Sequence, residues 1–314
     1  MSKSKGTTRE RTKPAPTTRK KGPFIDGNGG IRTGWLLAAS LFSYAILALA
    51  TRFGLIRAFA ALFAAWGIDA TTVGIAPGWA RMLYVWHGSL ATVLFSVLSL
   101  ALCRWLRRLW GRKDKGLSVE PVRLLKATAV GAAVALVVLA LCLAFDSVRP
   151  RWPFSQPRLS WGLIPLCVVA LLSVLAEECF TKRVLMDGVA GRWGHPWGFV
   201  VACAAFFLLN GGWNGGWVAA LNVLLLGGAC CLMYQRHGLW TTVGFRWGWS
   251  IVNALLLGFG GGDSAVYRFY GVSEGLLTGG DAGPAHGLWT ALALVGLILW
   301  LALKGRRRSA LSKT

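Results

Sequence analysis

The sequence predicts an all-α protein that crosses a membrane about eight times. Of its 314 residues, 55% are hydrophobic and only 15% are charged, and the mean hydropathy is +0.54. Several stretches close to twenty residues long carry almost no charge, which suits helices that cross a hydrocarbon core about 30 Å thick. A soluble domain rarely has this composition, so we predict a polytopic helical membrane protein.

The apolar stretches give the order of the helices and the division of the chain. One further apolar stretch, 54–68, is short, so we interpret it as an interfacial or partly buried helix and leave open whether it spans. We divide the chain into a basic disordered tail (1–33), N-terminal transmembrane helices (34–160), a core (161–304) and a second basic tail (305–314). The candidate spans are 34–52, 83–105, 124–145, 161–186, 197–212, 216–235, 238–258 and 287–304.

The net charge of +22 comes mainly from residues that flank the candidate spans. Nine of the 34 Lys and Arg residues lie in 1–33, eight lie from Arg104 to Lys126, and five lie from Lys304 onward. This distribution follows the positive-inside rule and predicts a cell-membrane protein with both termini in the cytoplasm, in contact with anionic lipid headgroups. It favours the lipid bilayer over nucleic acid as the partner of these cations, and an RNA-binding tail is the less favoured interpretation.

Two adjacent carboxylates, Glu177 and Glu178, follow the apolar run from Trp161 to Ala176. An ionisable residue at membrane depth is costly and marks a functional site whose partners must be found. Glu177 lies sixteen residues after Trp161, or about 24 Å along a helix, which places the pair in the cytoplasmic third of the bilayer.

The segment from Glu177 to Arg183 resembles the EExxxR motif of the CPBP intramembrane protease family. That family includes the CAAX prenyl endopeptidases and the bacteriocin-processing and immunity proteins. The resemblance continues in the same order for about a hundred residues. It includes Phe206–Asn210 at an FxxxH motif, Leu221–Gly227 at LLN…G, Gly238–Ser250 at GSLW…IGFHxxWN, and Thr278–Pro284 at TGG…GP.

The resemblance implies a protease core over 161–304 with a cavity that opens to the cytoplasm. In the family, two glutamates, two histidines and an asparagine line this cavity. One glutamate acts as general base on water, and the histidines help to bind a divalent metal or to stabilise the oxyanion. A carboxylate in a dry cavity is suited to take a proton from water, and the attacked carbonyl needs a donor or a metal for its developing charge.

This chain departs from the family pattern at four motif positions. Lys182 stands at the motif arginine, Asn210 and Arg246 stand at the two histidines, and Ser250 stands at the asparagine. Only the glutamates remain, so the motif positions that form the candidate catalytic site are Glu177, Glu178, Asn210, Arg246 and Ser250.

Metal ligands of the expected kind are missing from these positions, so we expect no metal and no other cofactor. The four histidines lie near span ends and away from the motif, at His87, His195, His237 and His286. The cysteines lie in or beside apolar spans without a C-x-x-C pair, and we interpret them as small buried hydrophobic residues. They are Cys103, Cys142, Cys167, Cys179, Cys203, Cys230 and Cys231.

The substitutions at the four motif positions favour a catalytically degraded relative, which is a pseudoenzyme that binds a membrane protein or peptide. Arg246 cannot lose its proton, so it is neither a metal ligand nor a base, and beside Glu177 or Glu178 it should form a charge-assisted pair. Lys182 follows Glu178 at the favourable i,i+4 spacing. The acids and bases would then neutralise one another inside the bundle.

Two alternatives stay open. An active intramembrane endopeptidase would use Glu177 as general base, Asn210 to orient water and Arg246 to hold the oxyanion, without a metal. A transporter that uses the buried acids is the third class, and no broken-helix repeat is visible to favour it. Trp247 and Trp249 flank Arg246, so they are candidates for a cation–π contact, although belt and packing roles are favoured for the tryptophans.

Overall fold

The apolar stretches of the sequence fold into eight helices within the residues that the structure describes. The structure is a computed structural model that describes residues 31–69, 71–72, 75–112, 117–146, 148–150, 163–212, 216–256, 269–271, 277, 279 and 283–311. The helices are α1 (Thr33–Ala65), α2 (Gly78–Leu109), α3 (Pro121–Ala144), α4 (Leu163–Trp193), α5 (His195–Leu209), α6 (Gly216–His237), α7 (Leu239–Ser250) and α8 (Leu288–Leu311). The predicted all-α, polytopic class is confirmed.

Five of these helices are long and apolar enough to cross a membrane: α1, α2, α3, α4 and α6. Two shorter apolar helices are α5 and the Leu288–Leu303 part of α8. A seventh predicted span, 238–258, corresponds to α7 and to the π-helical turn Ile251–Leu256 that follows it. Helix length and composition therefore support a multi-pass membrane protein, and the count of eight crossings remains a prediction.

The first helix differs from the prediction, because α1 continues past residue 52. It passes through a π-helical stretch, Leu49–Leu55, and ends at Ala65. No proline interrupts it, and the one glycine of the π-helical stretch, Gly54, costs too little to break a helix that is held by packing. Residues 56–65 therefore continue the first helix and are not separated from it by a loop. The 33 residues of α1 reach about 50 Å, well beyond a 30 Å hydrocarbon core.

Close backbone contact between α3 and α7 places the motif residues of α7. A side chain at Gly244 or Gly248 would collide with the carbonyl oxygens of Leu124 and Thr128 in α3. A side chain at Gly131 of α3 would collide with the backbone of α7 in the same way. Small residues of this kind allow membrane helices to approach closely, and here they fix the height and rotation of α7 in the bundle.

The middle of α4 is anchored by aromatic packing against α1 and α2. Tyr44 of α1 stacks on Phe180 with ring centroids 3.9 Å apart, and it meets Phe95 of α2 edge-on at 5.6 Å. All three rings are at most 2% exposed. This packing fixes the part of α4 that directly follows the two glutamates.

Two short strands connect distant loops of the chain. Val148–Pro150 pairs antiparallel with Phe269–Gly271, a feature that the sequence did not predict.

The predicted disordered tail lies outside the described residues up to residue 30. At the other end, α8 continues to Leu311, beyond the boundary at 304 that we expected.

Candidate functional site

The two glutamates lie where α4 changes its winding. Regular α-helix extends from Leu163 to Glu178, and the next eight residues, Cys179–Met186, form a π-helix. Such wider turns are rare and are frequent at functional sites. The side chain of Glu178 is fully buried, and that of Glu177 is 12% exposed. Both carboxylates therefore need partners inside the protein.

Arg246 of α7 bridges both acids. Its Nη1 donates to Oε2 of Glu177 at 2.9 Å and to Oε1 of Glu178 at 3.1 Å. The guanidinium side chain is 8% exposed, so water contributes little to its solvation. The pairing that the sequence predicts is therefore present, and a single guanidinium serves both carboxylates.

Asn210 completes the hydrogen bonding of the guanidinium from α5. Its Oδ1 accepts from Nη2 of Arg246 at 2.9 Å, and its Nδ2 donates to the carbonyl oxygen of Phe206 at 3.0 Å. Asn210 is the residue at which α5 ends, so the helix terminus positions the amide. The two residues that stand at the family's histidine positions thus contact each other directly.

Phe206 supplies the aromatic face for both cations. Its ring centroid lies 4.6 Å from the guanidinium carbon of Arg246 and 5.0 Å from Nζ of Lys182. Trp247 instead donates from Nε1 to the carbonyl oxygen of Cys167, and Trp249 belongs to a separate apolar cluster. The sequence suggested Trp247 or Trp249 as the cation–π partner of Arg246. The partner in the structure is Phe206 of α5.

Lys182 adds the second cation. Its Nζ lies 3.6 Å from Oε2 of Glu178, and both side chains are fully buried. The oxygen Oε2 of Glu178 has no hydrogen-bond partner in the described part of the chain, so this contact is purely ionic. Two carboxylates and two cations thus balance in one network, which we call the charge network: Glu177, Glu178, Lys182 and Arg246.

Ser250 is the last residue of α7, four residues after Arg246 and half-buried. The described residues contain no group of three or more His, Cys, Asp or Glu side chains that could hold a metal ion. His195 and His237 lie at the ends of α5 and α6. The chemistry of the charge network is therefore that of paired charges rather than of imidazole ligands.

A cavity of about 660 Å³ lies between the second half of α4 and the adjacent ends of α5, α6 and α7. The polar residues that line it were not identified from the sequence. Tyr234 donates its hydroxyl to Oδ2 of Asp187 at 2.7 Å, and both residues line the cavity. Asp187 directly follows the π-helical stretch of α4. The sequence contains a signal for Asp187, because this residue is a third acid in the same helix, ten residues after Glu177.

Comparison with known families agrees with the motif resemblance. Residues 159–252 match the family model described as type II CAAX prenyl endopeptidase Rce1-like. The matched segment contains α4 to α7 and every candidate catalytic residue from Glu177 to Ser250. No curated protein and no solved structure matches the chain.

Proposed function

We propose that this membrane protein, whose residues 159–252 match a CAAX prenyl endopeptidase family model, is a catalytically degraded relative that binds a membrane peptide or protein without cleaving it. The observation that carries the proposal is the bridge from Arg246 to both Glu177 and Glu178.

The bridge occupies the two acids that the family would use as bases. A general base needs a free lone pair directed at water or substrate, within hydrogen-bond reach. Glu177 and Glu178 each accept a hydrogen bond from the same guanidinium, so one oxygen of each carboxylate is already engaged. Arg246 itself carries no lone pair to offer, since it stays protonated at any physiological pH.

Three of the five N–H donors of the same guanidinium are already engaged, so it offers few donors to an oxyanion. Nη1 already serves two carboxylates, and Nη2 serves Oδ1 of Asn210. A useful oxyanion donor must face the position where charge develops, without a competing acceptor. These contacts would have to break before a substrate carbonyl could take their place.

The residues present do not fit the divalent metal of the family. A site with nitrogen ligands needs neutral imidazoles, whereas Asn210 and Arg246 occupy both positions. A cation 2.9 Å from Glu177 also competes with any metal for the carboxylate oxygens. We therefore derive no metal-assisted step for this chain.

The cavity of about 660 Å³ that Asp187 and Tyr234 line is the candidate place for the partner. Its lining mixes both signs of charge with apolar surface, including Glu120, Arg183 and Trp240. Such a lining suits a peptide segment that carries both polar and apolar side chains. With both termini and this cavity on the cytoplasmic side of the cell membrane, as the cation distribution favours, the partner would approach from the cytoplasm and the flanking cations would contact anionic lipid.

A cleavage assay with a matched variant tests the catalytic half of the proposal. The purified full chain is incubated with a farnesylated CAAX peptide, alone and with added zinc, beside Glu177→Gln. We expect no product above background from either protein. Cleavage by the original chain that Glu177→Gln abolishes would contradict the proposal and would establish an active endopeptidase.

Crosslinking from the cavity tests the binding half. A photoreactive amino acid at Gln235, which lines the cavity, should capture a membrane protein or peptide in cells, and Glu120→Lys should reduce that capture. The control places the same photoreactive group at Phe42, an exposed residue of α1. Equal capture from both positions, or none from Gln235, would count against a partner at this cavity.

A further inference from the structure

A second cavity, of about 510 Å³, lies at the turn between α1 and α2, outside residues 159–252. Its walls combine three aromatic rings with one carboxylate. The rings belong to Phe63 of α1 and to Tyr84 and His87 of α2, and the carboxylate belongs to Asp69 in the turn. We call this place the aromatic cavity.

The rings meet at steep angles and form a corner instead of a stack. Phe63 lies 5.1 Å from Tyr84 with an interplanar angle of 60°, and 5.6 Å from His87 with an angle of 72°. Phe63 is 4% exposed and packs in a small apolar cluster with Ile68 and Ala80. The corner is therefore held by packing and is preformed.

Asp69 supplies a permanent negative charge at this corner. Its Oδ1 accepts from the hydroxyl of Thr71 at 2.6 Å and from the backbone N–H groups of Thr71 and Thr72 at 2.8 and 2.9 Å. These hydrogen bonds, led by that of the Thr71 hydroxyl, lower the pKa of Asp69 to about 2. All of them use Oδ1, so Oδ2 is left without a turn hydrogen bond in the described residues.

His87 presents an acceptor rather than a donor when its ring is neutral. Its Nδ1 lies 2.6 Å from the carbonyl oxygen of Tyr84, and a carbonyl only accepts, so Nδ1 carries the proton. Nε2 of a neutral ring is then an acceptor. With a neutral imidazole, the polar groups of the aromatic cavity are the Asp69 carboxylate, the imidazole acceptor and the Tyr84 hydroxyl, and the first two favour a cation and disfavour an anion.

We propose that the aromatic cavity binds an organic ammonium group. A cation beside aromatic faces is stabilised by the ring quadrupoles, and quaternary ammonium groups are recognised by such cages in other proteins. The carboxylate of Asp69 adds a charge partner for the same group. The volume exceeds that of a single ammonium group, so there is room for the chain that carries it.

The headgroup of a zwitterionic lipid is the favoured source of that ammonium group. Trp66 and Trp79 lie beside the cavity with ring centroids 5.3 Å apart, and they are 44% and 62% exposed. Exposed tryptophans at helix ends are typical of the headgroup level of a bilayer. A soluble amine shares the ammonium chemistry and is the other source that the experiment must separate.

Photolabelling with matched lipids tests the proposal in the full chain. Phosphatidylcholine and phosphatidylglycerol, each with the same photoreactive acyl chain, are reconstituted with the protein. Labelled peptides between residues 59 and 87 are then quantified by mass spectrometry. We expect the choline lipid to label this segment at least about fivefold more than the glycerol lipid, since a charge-assisted cation–π contact is worth a factor of this order.

Two variants and one control decide the result. Asp69→Asn removes the charge but keeps the oxygen that accepts from Thr71 and Thr72, and it should reduce the choline preference to less than twofold. Tyr84→Leu removes a ring without touching the turn, and it serves if Asp69→Asn fails to fold. Asp146→Asn, at an exposed turn elsewhere, should leave the preference unchanged.

Competition with free tetramethylammonium distinguishes a lipid headgroup from a soluble amine as the source of the ammonium group. Loss of labelling upon its addition at constant ionic strength would show that the cation alone is recognised, and persistent labelling would show that the lipid is required. Either result upholds an ammonium site. Equal labelling by the two lipids, or an unchanged preference in both Asp69→Asn and Tyr84→Leu, would overturn it.

Discussion

Two ion pairs of this protein join an arginine to a carboxylate, but we expect them to contribute very differently to the free energy of unfolding. At the turn after α3, Arg149 Nη2 lies 2.6 Å from Asp146 Oδ2, and the side chains are 53% and 70% exposed. In the bundle, Arg246 Nη1 lies 2.9 Å from Glu177 Oε2, and the side chains are 8% and 12% exposed. The shorter pair is the weaker one, because water solvates its charges equally well when the pair is broken.

The largest effect is expected from removing the shared cation. Arg246→Met removes the guanidinium from two buried carboxylates, and loss of one partner of a buried pair costs about 3–5 kcal/mol. Reversible unfolding in mixed micelles or bicelles measures the change in free energy. A loss below about 1 kcal/mol would mean that water already reaches the acids and that the charge network is not buried.

A smaller loss is expected from the second cation. Lys182→Met leaves Oε2 of Glu178 without its ionic partner, while Oε1 keeps its hydrogen bond from Arg246. We expect a loss of about 1–3 kcal/mol, the penalty for a buried polar group that has lost one partner. Adding Glu178→Gln should recover much of it, and a double variant that is less stable than Lys182→Met alone would contradict this view.

The exposed pair should contribute almost nothing. Arg149→Ala is expected to leave the unfolding free energy unchanged within the error of the same assay, since isolated surface pairs are weak and screened by salt. This variant is the matched control for Arg246→Met. A comparable loss in both variants would remove the contrast between the two regions.

Acid pH should affect the exposed turn least of all. The hydrogen bond and the charge of Arg149 lower the pKa of Asp146, so its contribution is present above the carboxyl's ordinary pKa and is lost as pH falls through the lowered value. Between pH 5 and 8 the carboxyl is ionised in both the folded and the unfolded chain, so we expect any stability difference between Asp146→Asn and the original chain to stay constant, as a pH series of unfolding curves would show. A difference that changes with pH near neutrality would contradict the assigned direction.

The sequence predicted the pairs that lie within one helix or within one family motif. Glu178 and Lys182 are four residues apart, so helical periodicity alone brings them together. Arg246 stands at a motif position of the family, and the resemblance therefore placed it against Glu177. In both cases the information is local or is supplied by the register of a known motif.

The parts that the sequence missed depend on packing between distant segments. Phe206 lies under the cations because α5 packs against α4 and α6, whereas Trp247 and Trp249 are nearer only along the chain. The continuity of α1 through residues 49–55 could not be predicted either, since a short apolar stretch after a span fits an interfacial helix equally well. The strand pair at Val148 and Gly271 joins segments more than a hundred residues apart.

The most direct test of the charge network is a double-mutant cycle with Glu177→Met and Arg246→Met. The cycle isolates the interaction between the two side chains from their separate packing effects. A buried, hydrogen-bonded pair predicts a coupling free energy of about 1.5 kcal/mol or more. A coupling below about 0.5 kcal/mol would show that Arg246 does not neutralise Glu177, and it would contradict the account of this site.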